Sequence, residues 1–229
     1  MGTVLVLLVL AGTYVLMNSR SFQLAGRLVD RVPISDKLVA LTLDDGPSER
    51  TREVLDILSA AGIPATFYLM GHELAAHPER GRAIVAAGHE LGNHTYTHRR
   101  MVLVSPATVA EEIERTDTEI RRTGYRGPIT FRPPNGKKLW TLPKYLSEHD
   151  RTTVTWDVEP ESEHSSVAGI VRATLDSVRP GSIILLHTMY TSRAASRAAI
   201  PRMVAQLSAD GYRFVTVSEL LQQGATGHS

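Results

Sequence analysis

Short apolar runs alternate with stretches in which apolar residues recur every three or four positions, and this alternation organises most of the chain. Residues 38–43 form a continuous apolar run ending in turn residues, the pattern of a strand buried on both faces. Residues 51–61 carry Val54, Leu55, Leu58 and Ala61 at helical spacing, and Gly62 and Pro64 stop that helix. A strand rich in β-formers is predicted over 65–69, a helix broken near Pro78 over 72–87, and a third strand over 89–93. The strongest helix signal covers 106–123: Val109, Ile113, Thr116 and Ile120 make one stripe, and Ser105-Pro106 supplies an N-cap and first-turn residue. Further strands are predicted over 129–132, 152–156, 182–186 and 214–217, and further helices over 139–149, 166–178 and 200–209, with a last short helix before the end.

Strand and helix thus alternate about seven times without an internal repeat, which predicts a parallel α/β architecture, an open doubly wound sheet or a barrel. No glycine-rich phosphate loop follows the first strand, which weakens a nucleotide-binding reading. In a barrel the chemistry sits where strands end. The reactive residues do cluster there: Asp44-Asp45 after the first strand, His94 to His98 after the third, Arg132 to Gly136 after the fourth, Trp156-Asp157 after the fifth and His187 after the sixth.

The N-terminus breaks the alternation. Residues 1–19 carry no charged side chain, and 4–17 are dominated by Val and Leu. A spanning helix needs roughly 20 apolar residues, with a lower limit near 17, so the segment is borderline. No Lys or Arg precedes it and no clean small-residue cleavage site follows, so an uncleaved membrane anchor is expected rather than a signal peptide, with secretion after cleavage as the alternative. Arg20, Arg27 and Arg31 all follow the segment, and by charge alone that side would face the cytoplasm. Residues 20–36, mixed and polar around Pro33, read as a linker, and residues 222–229 as a flexible tail. The 229 residues suffice for one α/β domain after such an anchor. A net charge of +1 gives no case for nucleic acid, and the absence of cysteine leaves His and carboxylates as metal ligands.

Two adjacent carboxylates at the end of a buried strand repel each other and are costly to bury without a cation or donors. A turn made for local reasons would also use Asp and Gly. His94 and His98 are spaced to place two imidazoles on one side of a helical turn, and with a carboxylate they make a His₂-carboxylate set that suits zinc with an open position. The Glu of a zincin motif is missing, so the general base must come from elsewhere, and Asp44-Asp45 can supply both a ligand and a base. His187 is either a hydrogen-bonded core histidine or a general acid facing the metal.

Thr42-Leu43-Asp44-Asp45-Gly46-Pro47, His94 to His98, Arg132-Pro133-Pro134-Asn135-Gly136 and Leu185-Leu186-His187 together resemble the ordered motifs of the polysaccharide deacetylase family, the NodB-homology domain, over residues 37–221. The resemblance implies an incomplete (β/α) barrel, TIM-barrel-like, with its site at the strand C-terminal ends. It implies Asp44 as catalytic base, Asp45, His94 and His98 as metal ligands, Arg132 as the partner that orients the base, and His187 as acid. It also implies an oxyanion donor in the Asn135 N–H, and substrate-facing positions among Pro133, Pro134, Trp156 and Asp157. The metal so implied is Zn2+, with Co2+, Ni2+ and Mn2+ as alternatives. Asn135 stands where an aromatic residue is usual, Thr188 where Asp is common, and the Asp-Trp that supports the acid histidine falls near Ser162-Glu163. Either Asp157 or Glu159 takes over that support, or His187 is tuned differently.

The resulting expectation is a metal-dependent hydrolase of linear amides that removes N-acetyl groups from a cell-wall or chitin-like N-acetylglucosamine polysaccharide. Two other readings use the same residues: an esterase removing O-acetyl groups from a polysaccharide such as xylan, and an inactive glycan-binding relic. A glycan substrate outside the cytoplasm places the domain on the outer face of the membrane, against the arginine count. No nucleic-acid partner is expected.

Overall fold

The structure, a computed structural model, describes residues 2–226. Strand β2 (Leu38–Asp44) is its centre, and all seven of its residues are buried. It pairs in parallel with β6 (Ile183–His187) on one side. On the other it pairs with β3 (Thr66–Leu69) along its C-terminal half and with β7 (Arg213–Val215) along its N-terminal half. Strand β3 continues to β4 (Glu90–Asn93), also in parallel. The predicted strand over 129–132 is reduced to Phe131, which bridges Asn93 on one side and Thr153 on the other. Strand β5 (Thr153–Val154) follows, and a bridge from Val158 to Ile184 closes the circuit back to β6. The result is an incomplete parallel (β/α) barrel, in which single bridges stand where a full barrel has strands.

Helices α2 (Thr51–Ala61), α3 (Gly71–Ala76), α4 (Pro78–Ala86), α5 (Pro106–Arg122), α6 (Thr141–Glu148), α7 (Val167–Ser177), α8 (Ala194–Ala209) and α9 (Val217–Thr226) cover the outside. The Ser105 hydroxyl accepts from the Thr108 N–H and caps α5, and Gly62 ends α2 in the left-handed region at φ 67, as the sequence predicts. Helix α8 starts six residues before the expected Ile200, and Pro201 lies inside it. The main core fills the space between β2, β3, β4, β6 and these helices with Leu41, Leu43, Phe67, Leu69, Leu91, Ile184 and Leu186. Apolar side chains on both faces explain why these strands read as continuous runs.

Residues 20–36 are not a free linker. Within them β1 (Leu28–Val29) pairs in parallel with β5, and Val29 and Val32 enter a second core cluster with Val154, Trp156 and Leu185. The Val32 N–H donates to the Gly181 carbonyl at 2.9 Å. Gly181 has φ +82, and a Cβ there would lie 1.7 Å from the Val32 carbonyl oxygen. Gly181→Ala combines left-handed strain with a backbone clash, and it is expected to destabilise the fold by about 3 kcal/mol in denaturant unfolding. Wild-type stability in that variant would show that the 20–36 segment is dispensable. The tail expected from residue 222 is helical through Thr226, and residues 227–229 lie outside the described residues.

Helix α1 (Gly2–Asn18) is the N-terminal apolar segment. Residues 2–15 are exposed throughout, so it is no buried helix of the domain. Its 17 residues measure about 26 Å at about 1.5 Å per residue. Among the described residues no helix is long and apolar enough to cross a membrane. The foot of α1 is tied down: the Lys138 N–H donates to the Met17 carbonyl at 3.3 Å, Lys137 Nζ donates to Asn18 Oδ1, and Lys138 Nζ donates to the Ser19 carbonyl.

Candidate metal centre and catalytic cleft

Asp44 is the last residue of β2, and Asp45 follows at φ 70. Neighbours along a strand point to opposite faces. The left-handed turn at Asp45 breaks that alternation and brings both carboxylates into one cleft. Gly46 is required next, because a Cβ there would sit 2.7 Å from Met189 Cγ.

His94 and His98 follow β4 on a loop rather than on the helical turn expected from their spacing. Thr95 at φ 68 and His98 at φ 58 shape that loop. Its free backbone donors are taken up by side chains, so it does not need to be helical. The Thr95 N–H donates to Asn93 Oδ1 at 2.9 Å. The Tyr96 and Thr97 N–H groups both donate to Glu112 Oε2 at 2.8 Å, and the Thr97 hydroxyl donates to Glu112 Oε1 at 2.6 Å. Glu112, buried on α5, therefore holds the histidine loop, a role no spacing in the sequence announces.

Asp45, His94 and His98 bring one ligand atom each to within 4.8 Å of one another. Asp45 Oδ1 lies 3.3 Å from His98 Nε2 and 3.7 Å from His94 Nε2. Asp45 Oδ1 is buried and has no hydrogen-bond partner, a costly state for a carboxylate oxygen unless a cation completes it. His94 Nδ1 is engaged with the Arg132 carbonyl at 2.8 Å, which fixes the ring and leaves Nε2 for a metal. The three residues thus fit a divalent metal by donor type, spacing and an orphaned oxygen.

Arg132 is fully buried, and four of its five guanidinium N–H donors are engaged. Nη1 donates to Asp44 Oδ1 at 2.6 Å and to Thr42 Oγ1 at 2.8 Å, Nη2 to the Thr155 carbonyl at 2.9 Å and Nε to the Val154 carbonyl at 3.3 Å. The Tyr68 ring lies 4.1 Å from its carbon, packing a cation face. Burial pushes the Asp44 carboxyl up, but the charges of Arg132, His94 and His187 outweigh it and hold the group below its ordinary range.

His187 ends β6, half-buried, with Nδ1 2.6 Å from Glu161 Oε1. The same carboxylate oxygen accepts the His187 N–H at 2.8 Å, and Glu161 Oε2 accepts the Ser196 hydroxyl. Burial opposes the imidazolium, yet the Glu161 hydrogen bond and the charges of Asp44, Glu161 and Asp45 raise His187 above its ordinary range. The expected supporters are elsewhere. Asp157 accepts the Ile183 N–H and the Ser182 hydroxyl, each at 2.8 Å, and so pins the start of β6. Glu159 accepts from Arg20 at 2.6 Å and from Trp156 Nε1 at 3.0 Å. Glu161 lies one residue before Ser162-Glu163, where the family's supporting pair falls, with its side chain swung in by the turn at Pro160–Ser162.

These groups open into a cleft of about 370 Å³ lined by Asp44, Asp45, His94, His98, Asn135, Trp156 and His187. Asn135, at φ 56 in the turn Pro134–Gly136, lines it, while its Oδ1 accepts from Arg100 Nε at 3.0 Å. Pro133 and Pro134 are buried and shape that turn without lining the cleft. Arg20, Tyr190 and Arg193 also line it. They come from the segment before β1 and the loop after β6, where composition carries no signal.

Known proteins resemble this chain in sequence, and solved structures resemble it in fold. The polysaccharide deacetylase family matches residues 31–154. A peptidoglycan-N-acetylglucosamine deacetylase of Bacillus cereus is 32% identical over 204 residues, covering 86% of this chain and 94% of the relative. A chitooligosaccharide deacetylase of a Bradyrhizobium species is 33% identical over 198 residues, covering 80% and 90%. Among solved structures, the Bc1960 peptidoglycan N-acetylglucosamine deacetylase superposes with a TM-score of 0.80 at 31% identity, over 84% of this chain and 92% of that one.

Proposed function

We propose a specific role for each cleft residue from one premise: the chain belongs to the polysaccharide deacetylase family. It is a metal-binding hydrolase that deacetylates an N-acetylated polysaccharide. The finer reading is peptidoglycan as the polysaccharide, with N-acetylglucosamine as the unit deacetylated. The observation that carries the chemistry is the division of the two carboxylates, Asp45 with its Oδ1 orphaned beside two histidines and Asp44 bonded to a buried arginine.

Asp45, His94 and His98 would hold the metal, with Zn2+ favoured by the His₂-carboxylate set. When bound, that ion supplies Lewis acidity toward water and the acetyl carbonyl. Asp44, kept ionised by Arg132, accepts the proton of the attacking water. His187, held charged by Glu161, donates a proton to the departing sugar amine, giving acetate and a glucosamine unit. The Asn135 N–H is the proposed donor to the developing oxyanion, a contact worth roughly 3–4 kcal/mol in comparable sites. Trp156 is held by Glu159 at the cleft wall and bounds the sugar.

The test is acetate release from peptidoglycan, N-acetylglucosamine oligomers and acetylxylan by protein of measured metal content. Release from the amide substrates that disappears on chelation and returns with Zn2+ is expected. Release that survives chelation, or release from the ester alone, would refute the reading.

The apolar α1 is read as a membrane anchor that leaves the domain outside the cytoplasm. Exposure of its apolar residues and the cations Arg20 and Lys137 at its foot support an interfacial placement. Protease treatment of intact cells checks it: the domain is expected to be cleaved without lysis.

A further inference from the structure

Among the described residues, Arg193 is the one arginine of the cleft whose charge nothing in the fold answers. Arg132 is bonded to Asp44, and Arg20 is paired with Glu159 at 2.6 Å. Arg193 lines the same cleft, half-buried, and among the described residues its side chain makes no hydrogen bond or ion pair. Withdrawing a cation from water without an acceptor is unfavourable.

Its placement is built rather than incidental. Arg193 ends the turn Thr191–Arg193 and precedes α8, and its backbone N–H donates to the Tyr190 carbonyl at 3.0 Å. Arg197, buried on α8, grips the same loop by donating to the Thr188 carbonyl at 2.9 Å and the Tyr190 carbonyl at 2.7 Å. Arg197 is in turn bonded to Glu53 of α2 at 2.9 Å. The loop therefore presents the Tyr190 ring and the Arg193 fork to the cleft from a braced backbone, close to Asp45.

We propose that Arg193 is the cation of an anion subsite, and that the glycan this cleft takes carries a carboxylate beside the acetylated sugar. The guanidinium fork matches a carboxylate in bidentate fashion, whereas a neutral sugar leaves its charge unanswered. The inference rests on the deacetylase reading and deepens it. It favours a glycan bearing a lactyl ether, with the carboxylate free or carried on a peptide attached there, over a neutral chitin-like chain. Tyr190 beside it offers an aromatic face, which the asparagine at 135 does not.

The experiment compares kcat/KM of the metal-loaded full chain on three N-acetylated tetrasaccharides. One bears free lactyl carboxylates, the second bears peptides on them, and the third has the carboxylates converted to simple amides. The carboxylated forms are expected to exceed the amide form about tenfold, through KM, and the better of the two identifies the source of the anion. Arg193→Gln should bring that ratio to about one, and Arg193→Lys should restore part of it. The inference is overturned by a wild-type ratio of one, by a ratio that Arg193→Gln leaves unchanged, or by equal loss on all substrates from a merely structural role. Acetate release from the amide form alone keeps the deacetylase reading while sinking this one. If no substrate is hydrolysed, the deacetylase reading fails, and equilibrium dialysis of the same oligosaccharides decides the subsite by the ratio of Kd values.

Discussion

Asp44→Asn is expected to reduce kcat for acetate release by about 10³-fold while leaving one metal equivalent bound. Proton transfer by a positioned group contributes typically 10²–10⁴-fold. Asn keeps the shape and the acceptor toward Arg132 but cannot take a proton. The metal should remain because the three residues suited to hold it are Asp45, His94 and His98. A second effect follows from burial. Arg132 has 0% exposure and loses its only anionic partner among the described residues, which breaks a buried ion pair and should cost roughly 3 kcal/mol in denaturant unfolding. Metal content, rate and stability thus separate three roles. Loss of the metal in Asp44→Asn would make Asp44 a ligand. A near-normal rate would remove it from the proton path.

Why Asp44 and Asp45 can be picked out from the chain, and Glu161 cannot, has a physical explanation. A carboxylate pair at the end of a run buried on both faces is an electrostatic anomaly wherever it occurs, so the chain alone shows that it needs partners. The histidines and Arg132 are legible because parallel α/β architecture sends strand C-termini to one end. Strands with long apolar runs are legible too. What escapes is whatever depends on a single contact. Phe131 makes a barrel position from two bridges, and β1 gains its place by pairing two residues with β5, patterns too short for periodicity. Pro201 reads as a helix start because proline suits the first turn, yet the good helix formers before it extend α8 back to Ala194. The HxxxH spacing suggests a helical turn because nothing in it announces Glu112, sixteen residues beyond Tyr96, as acceptor for the loop. Glu161, Tyr190, Arg193 and Arg20 sit on irregular backbone, where side-chain direction follows from turns and has no period.

Glu161→Gln is the substitution that tests the part of the site which departs most from the family pattern. In the structure one Glu161 oxygen accepts from both the ring and the backbone N–H of His187, and the other accepts from Ser196. A carboxylate behind a catalytic imidazole fixes its tautomer and stabilises its charged form, and replacing one by an amide in another hydrolase costs about 10⁴-fold. Here the imidazole acts after the attack and the metal centre is intact, so a loss of about 10²-fold in kcat with little change in KM is expected. The pH profile gives the sign. Burial lowers the His187 pKa, while the Glu161 hydrogen bond is the largest influence raising it. As the proposed proton donor His187 must be protonated, so activity is expected to fall on the alkaline side as it loses its proton. Without the carboxylate the imidazolium is less stable, and the alkaline limb should move to lower pH. Glu159→Gln, which loosens Trp156 and Arg20 instead, should act on KM and leave that limb in place. If Glu159→Gln moves the limb and Glu161→Gln does not, the proton donor is tuned from the cleft wall, and the assignment of Glu161 as its support is wrong.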